Sequence, residues 1–447
     1  MGGPTPRISL CLIARDEERM LPGCLESARG AVDEIIVVDT GSRDRTREIA
    51  RAAGARVLER AWDDDFAAPR NLAAESARGD FLLQLDADER LGPGAGPAVR
   101  RAARRARFDV GLVRCHNADS LDAPVAEVLS GARRVGQPGL LPRLLRHAPD
   151  LRWQGCIHES VLEWAAGRGN RLEPLPVDLV HLGYTNSLFA GKEKRARNLA
   201  LLRKRAREEP ESAVSLGYLA AELLADGALA EAERVAEEGW ALLDRQPRWR
   251  SVRRLAVVRA AVAVRRAKPE AALQAAEVFE RREGKIPDLS YHRGCALELL
   301  AAREQSPAER ENLWGRARAA LEEARSLLDR GGFDQVMHAS HAQVWARLGV
   351  LSLRQGRPAE ALQAFAASRA AGATERIALA EAEALLALSR PGDALRALEP
   401  LLAPGAEAVA APEGWILAAR AAQALGASAD ARAFLARAGA IGPAPIR

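Results

Sequence analysis

A chain of 447 residues is too long for one ordinary hydrophobic core, so two or three domains are expected. Hydrophobic residues make up 48% of it, yet no stretch approaches the roughly 20 uninterrupted apolar residues of a membrane span, which excludes a helical integral membrane protein. The net charge of +5 does not by itself point to nucleic acid, because the excess is arginine dispersed among alanines and lysine occurs only at Lys192, Lys194, Lys204, Lys268 and Lys285.

The opening "MGGPTPRISL" lacks the charged and apolar regions of a secretory signal. Cys11, Cys24, Cys115, Cys156 and Cys295 are odd in number, widely spread and form no CxxC pair. They indicate neither a disulfide framework nor a structural zinc site, and the expected setting is reducing and cytoplasmic.

Residues 1–190 alternate short apolar runs with helical stretches. "ISLCLIA" (8–14), "EIIVVD" (34–39), "ARVLER" (55–60), "FLLQLD" (81–86) and "VGLVRC" (110–115) read as strands. Their near-continuous apolarity is that of strands covered on both faces. Amphipathic segments at 44–54 and 67–78 separate them, which predicts βαβ units and a mostly parallel, Rossmann-like sheet. "VRRAARRAR" (99–107) places Arg and Ala at helical spacing and reads as a solvated helix face, with an acidic or phosphate-bearing partner as the alternative.

From about 191 to 447 the rhythm is helix after helix. Small turn residues are followed five positions later by Ala at Gly227/Ala232, Ala267/Ala272, Gly315/Ala320, Gly356/Ala361, Ser389/Ala394 and Gly426/Ala431. The spacing is irregular but near that of a tetratricopeptide unit. The best copy spans 342–368, with Trp345, Leu348, Gly349, Gly356, Ala361 and Phe365 in register and Ser352 where an aromatic is usual. A stacked all-α repeat array is expected, with an irregular helical bundle as the alternative.

In open α/β sheets ligands sit beyond the carboxyl ends of the strands, and both "VVDTGSRD" and "LDADE" fall at such ends. Asp39, taken alone, reads as a turn or cap residue or as an acceptor for a nucleoside. Asp86 and Asp88 project to one side of an extended segment. Two carboxylates held close are costly without a cation, and Mg²⁺ or Mn²⁺ removes that cost while leaving positions for water and diphosphate oxygens. One DxD triplet is a weak signal. A DxD closing a strand, after an Asp-closed strand, is stronger.

"ISLCLIARDEERMLPGCLESARGAVDEIIVVDTGSRDRTREIA" and "DFAAPRNLAAESARGDFLLQLDADE" resemble the nucleotide-sugar half of family 2 glycosyltransferases, inverting enzymes of the A type. The resemblance covers about 1–190. It implies that Ala14, Asp16, Glu17 and Asp39 surround the nucleotide base, that Asp86 and Asp88 bind ribose and metal, and that Arg70 and Asn71 lie on the donor side. "ARDEE" stands where "KNEE" is more usual, which leaves the role of Asp16 open.

"WQGCIHESVLEW" (153–164) and "HLGY" (181–184) resemble an "HE" and a later "HxGY" in the tetratricopeptide-bearing and lipopolysaccharide-core branches of that family. Inverting transfer needs a carboxylate that deprotonates the acceptor. Glu159 is the candidate base, with a structural salt bridge as its rival and Asp150 and Asp178 as substitutes. His181 is the candidate third metal ligand, His158 an orienting residue for Glu159, and a hydrogen-bonded core histidine the alternative for both. Trp153 and Trp164 read as packing residues or sugar-stacking faces, and "GKEKRARN" (191–198) as a helix start or a lid over diphosphate.

The resulting expectation is a hexosyltransferase domain over 1–190 and a repeat domain over 191–447. The donor would be a UDP-sugar and the acceptor a peptide or cell-envelope glycan, with acceptor, protein partner or second copy of the chain bound by the repeats. Two rivals remain: an inactive scaffold that binds a protein partner, and a nucleotidyltransferase of similar fold, although "CLIARDEER" lacks a Gly-rich phosphate loop.

Overall fold

The computed structural model describes residues 5–169, 171–183, 192–243, 252–330, 339–372, 377–403 and 412–441, except the side chains of 192–194, 440 and 441. They divide into two compact units, Met1–Ser215 and Leu216–Arg447. The first is α/β and the second all-α.

The first unit holds an eight-stranded mixed sheet of order β3-β2-β1-β4-β7-β6-β8-β5. β1 (Ile8–Ala14), β2 (Glu34–Asp39), β3 (Arg56–Glu59) and β4 (Phe81–Gln84) are mutually parallel, with Ala14 opposite Asp39 at the carboxyl edge. Successive residues feed opposite cores. Leu10, Leu12 and Leu83 pack on one face beneath α1 (Leu21–Ser27) and α4 (Ala95–Arg105), and Cys11 and Leu82 pack on the other with α3 (Ala67–Ser76). That two-sided burial is why these strands read as continuous apolar runs. α2 (Thr46–Ala52) connects β2 to β3.

The other half of the sheet is β5 (Glu89–Leu91), β6 (Val110–Ala118), β7 (Arg134–Arg146) and β8 (Leu172–His181), with α5 (Val125–Ser130) and α6 (Leu162–Gly167) between them. β7 runs antiparallel to β4 and β6, and β5 antiparallel to β8. Neither β7 nor β8 was among the expected strands. β7 contains Gly136, Pro138, Gly139 and Pro142, and β8 contains Pro174 and Pro176, which punctuate local patterns. Irregular pairing accommodates them, with register shifts in both β6–β7 and β6–β8. The strand expected over 81–86 is paired only to Gln84, after which Asp86 O accepts from Glu89 N at 2.9 Å and turns the chain into β5.

On α4, Val99 and Ala103 are buried, Arg101, Arg104 and Arg105 are exposed, and Arg100 ties down Gly30 O, Val32 O and Asp33. The arginine run is therefore a helix face with one structural clamp. α7 (Lys192–Glu208) falls in the first unit, where Arg205 donates to Ile157 O at 2.7 Å and His158 O at 3.2 Å.

The second unit is built of helix hairpins: α8 (Ala213–Ala225)/α9 (Leu229–Ala241), α10 (Arg253–Arg265)/α11 (Pro269–Glu283), α12 (Pro287–Arg303)/α13 (Pro307–Arg330), α14 (His341–Arg354)/α15 (Pro358–Ala370), α16 (Ala378–Ala387)/α17 (Pro391–Leu402) and α18 (Pro412–Ala424)/α19 (Ser428–Ile441). The turn anchors read from sequence have a structural basis. Gly227, Ala267, Gly356, Ser389 and Gly426 are the left-handed residues of their loops, with φ of 81°, 54°, 71°, 57° and 78°. The next amide bonds the carbonyl five residues back, as in Ala228 N to Leu223 O, Lys268 N to Ala263 O and Arg357 N to Ser352 O. This is the Schellman C-cap, which stops one helix and aims the next. Gly315 is the exception: it lies inside α13, and that hairpin turns at 304–306 instead. In the best copy, a Cβ on Gly349 would meet Phe365 Cε1 at 2.4 Å, so glycine lets these two helices touch.

Ala267 and Ser389 carry a side chain in a conformation that glycine adopts without strain. Ala267→Gly and Ser389→Gly are each expected to stabilise the second unit by about 1 kcal/mol, seen as a higher urea midpoint with unchanged slope. His292 supplies a pH dependence. Its Nδ1 is buried without a hydrogen-bond partner among the described residues, and burial, then the Arg265 charge, lowers its pKa to about 4. The unfolded imidazole takes up its proton near pH 6.5, the folded one only near 4, so stability falls as the pH drops through that window. In His292→Gln the loss of Tm between pH 7 and pH 5 should be smaller.

Candidate functional site

Two loops at the carboxyl edge of β1 and β2 are laced together by side chains. Asp39, 1% exposed, caps its own loop: Oδ1 accepts from Gly41 N at 3.1 Å and Ser42 N at 3.0 Å, and Oδ2 accepts from Ser42 Oγ. Asp16 N donates to Ser42 Oγ at 3.0 Å and Asp16 Oδ1 accepts from Arg43 N at 2.7 Å, which holds Asp16 at a φ of 55°. Glu17 N donates to Thr46 Oγ1 at 2.7 Å and Glu18 N to Asp44 Oδ2 at 3.0 Å. Ala14 O accepts from Thr40 N at 2.9 Å and closes the cleft floor.

Beside this floor lies a buried ion network. Asp86 Oδ1 accepts from Arg70 Nη2 at 2.8 Å and Oδ2 from Arg143 Nη2 at 3.2 Å. Arg143 Nη2 also donates to Glu89 Oε1 at 2.5 Å, and Arg70 Nε to Glu159 Oε1 at 2.6 Å. Burial alone would raise the Asp86 pKa, but the Arg70 and Arg143 charges outweigh it and hold the carboxyl well below the usual range. Burial pushes Glu89 up against the pull of Arg143. Arg90 grips the backbone of the same turn, donating to Ala87 O at 2.9 Å, Glu89 O at 2.8 Å and Met20 O at 2.6 Å.

Asp88 faces β8. Its Oδ2 is 3.4 Å from His181 Nε2, and His181 Nδ1 lies 3.2 Å from Asn117 Oδ1 on β6. Burial opposes protonation of His181, but the hydrogen bond and charge of Asp88, with Glu89 and Asp86 behind it, raise its pKa. Burial and the nearby Asp88, Asp44 and Asp86 charges raise Glu17 to about 7. The cleft therefore carries an excess of acid. Among the described residues no group of three His, Cys, Asp or Glu side chains forms a complete metal cage. Asp86 is engaged by two arginines, so the protein donors that fit a cation are Asp88 Oδ2 and His181 Nε2. Two protein donors suit Mg²⁺ or Mn²⁺, which keep waters and phosphate oxygens in their other positions.

The structure thus brings Ala14, Asp16, Glu17 and Asp39 to one loop pair, and Arg70, Asp86, Asp88, Glu159 and His181 to the adjoining network. Asn71 points elsewhere: its amide donates to Trp153 O at 3.1 Å and accepts from Trp153 N at 2.8 Å, fixing the segment that leads to Glu159. Trp153 and Trp164, 7% and 8% exposed, are core residues. Asp150 pairs with Arg168 at 3.3 Å, and Asp178 with His116 Nε2 at 2.8 Å, both apart from the Arg70 network. His158 is exposed at a φ of 52°. Tyr184, Gly191 and the side chains of Lys192 and Lys194 lie outside the described residues. Glu89 stood out in the sequence as the third carboxylate of the "DADE" cluster, whereas Arg143, Arg90 and Arg205 went unnoticed. Arg90 stands directly after that cluster, and Arg143 is one arginine among many in a strand that was not expected.

Glu89, 1% exposed, has Arg143 as its only ion-pair partner among the described residues. Arg143→Leu leaves that carboxyl unpaired and is expected to destabilise the first unit by about 3–5 kcal/mol. The deficit should narrow at lower pH, where Glu89 takes up a proton; chemical denaturation at pH 8 and pH 5 measures both.

Parts of the chain match known proteins. The family model described as glycosyl transferase family 2 matches residues 9–142. A TPR repeat-containing protein of Synechococcus elongatus is 36% identical over 250 residues, covering 54% of this chain and 58% of that protein. The SPbeta prophage-derived glycosyltransferase SunS of Bacillus subtilis is 26% identical over 227 residues, covering 49% and 50%. The chain thus spans about half the length of these curated relatives. Among solved structures, a thermophilic TPR protein of Thermus thermophilus is 18% identical, covering 48% of this chain and 99% of that one, at a TM-score of 0.37. Glucosyl-3-phosphoglycerate synthase of Mycobacterium tuberculosis, in complex with Mg²⁺ and uridine diphosphate, is 28% identical, covering 25% and 44%, at a TM-score of 0.22. The chain carries a family 2 glycosyltransferase domain followed by tetratricopeptide-like repeats.

Proposed function

We propose that this glycosyltransferase is metal-dependent and inverting, and moves a sugar from a nucleotide-diphospho-sugar to a peptide or cell-envelope glycan acceptor. The observation that carries the reading is the Asp86–Asp88 turn, with His181 at 3.4 Å from Asp88 and Glu159 linked to Asp86 through one guanidinium. The donor is taken as a UDP-sugar from the resemblance of the strand-end motifs, and the repeats are taken as the acceptor- or partner-binding part.

In this reading the Asp16–Asp39 loops receive the nucleoside, and their lacing means little is reordered on binding. Asp88 and His181 would hold a divalent cation, which would supply positive charge to offset that of a departing nucleoside diphosphate. Glu159, oriented by Arg70 through Oε1, takes the acceptor proton. The acceptor heteroatom bonds to the anomeric carbon from the face opposite the diphosphate, and the electron pair of the broken C–O bond leaves with the nucleotide. Arg70 keeps base and donor site in register by contacting Glu159 and Asp86 at once.

The test is nucleotide release from a panel of UDP-, GDP- and dTDP-sugars, with and without Mn²⁺. Metal-dependent release of one nucleotide, abolished in Asp88→Ala, is expected. Glu159→Gln should lower kcat by about 10²–10⁴ with little change in donor KM. Metal-dependent nucleotide binding with no turnover toward any acceptor offered would favour the partner-binding scaffold.

A further inference from the structure

We infer that Gly183 is a positioning residue for the Asp88 carboxylate, and through it for a divalent cation; this rests on the reading of Asp88 as a cation ligand. Gly183 lies two residues after His181, the last residue of β8, and is buried. It is absent from the glycines with positive φ, so the backbone does not demand glycine there. Space does. A Cβ built on Gly183 would lie 1.8 Å from Asp88 Oδ2, 2.8 Å from Asp88 Cγ and 3.4 Å from Asp88 Cβ. All three closest atoms belong to this one side chain. The carboxylate reaches His181 by lying across the bare Cα of residue 183.

A methyl group at 183 has two ways to be accommodated: the acidic turn shifts, or the carboxylate rotates. The turn is held from four sides. Leu182 N donates to Asp88 O at 3.0 Å, Arg90 binds Ala87 O and Glu89 O, Asp86 N donates to Glu89 Oε2 at 3.1 Å, and Glu89 pairs with His181 across β5 and β8. Arg90 is itself seated against a second bare Cα, since a Cβ on Gly23 would meet its Nε at 2.5 Å. Moving the turn would disturb all of these contacts. Among the described residues, rotating Asp88 about its own side-chain bonds breaks only the 3.4 Å approach to His181. The carboxylate therefore yields, and the pair of donors that faces the cation is lost while the fold stays.

The experiment is Mn²⁺ binding to the full chain, with and without UDP, followed by the electron paramagnetic resonance of free Mn²⁺, together with Tm. Four proteins are compared: wild type, Asp88→Ala, Gly183→Ala, and the double variant. Gly183→Ala should weaken Mn²⁺ binding by about tenfold or more, the scale of losses at residues that orient metal ligands, with Tm within a few degrees of wild type. The double variant should bind as Asp88→Ala does, because once the carboxylate is gone the added methyl has nothing to displace. If Gly183→Ala fails to fold but the double variant folds, the clash is with Asp88 but the turn gives way rather than the carboxylate, and the inference is overturned. If neither folds, glycine serves the backbone and the inference is overturned. Wild-type binding by Gly183→Ala, alongside a loss in Asp88→Ala, overturns the inference and leaves the reading of Asp88 intact. Unchanged binding in Asp88→Ala, or no binding by the wild type, overturns both.

Discussion

Two buried guanidinium groups shared among three carboxylates set the geometry of the first unit. Arg70 bridges Asp86 and Glu159, and Arg143 bridges Asp86 and Glu89. A charge this deep persists only with a partner at hydrogen-bond distance. The network therefore joins segments far apart in sequence: α3, the turn after β4, β7 and the loop before α6. Each arm has one productive position, which places the Asp86–Asp88 turn and Glu159 at a fixed separation before any ligand arrives. Arg70 Nη1 and Arg143 Nε stay buried without a hydrogen-bond partner among the described residues.

Around the network, the chain fixes loops rather than leaving them to order on binding. The β1 and β2 loops are crosslinked through Asp39, Ser42, Asp16, Thr46 and Asp44. Asn71 pins both backbone groups of Trp153, and Arg205 holds the carbonyls of the two residues that precede Glu159. These polar side chains satisfy backbone groups that would otherwise face a dry core.

The second unit achieves regularity by another route. Buried ion pairs such as Glu298 with Arg347 and Arg354 tie one hairpin to the next, but the turns are set locally. Five of the six described hairpin loops repeat one local device, a left-handed residue followed by a backbone bond to the carbonyl five residues back. Buried alanines after the turn, such as Ala232, Ala272, Ala361 and Ala394, let the paired helices approach. Where larger side chains enter, a glycine makes way, as Gly349 does for Phe365.

What could be read from the sequence alone was whatever is encoded locally. The parallel strands β1 to β4 were legible because burial on both faces leaves unbroken apolar runs, and the repeat turns because a left-handed residue and a close-packed alanine recur at fixed spacing. The acids at strand ends stood out because "EIIVVD" and "FLLQLDADE" place carboxylates directly after core residues. β7 and β8 were not legible: their prolines and glycines break the local pattern, and they are strands only because β4 and β6 offer partners distant in sequence. Arg143 was hidden for the same reason, being one arginine of many until the sheet brings it to Asp86. Nothing in "HLGY" announces that Gly183 makes room for a carboxylate nearly a hundred residues earlier. Local sequence determines which segments become strands, helices and turns, since that follows from neighbours along the chain. Which charges meet, and which glycine must stay bare, is decided only when pairing across the sheet closes the distance.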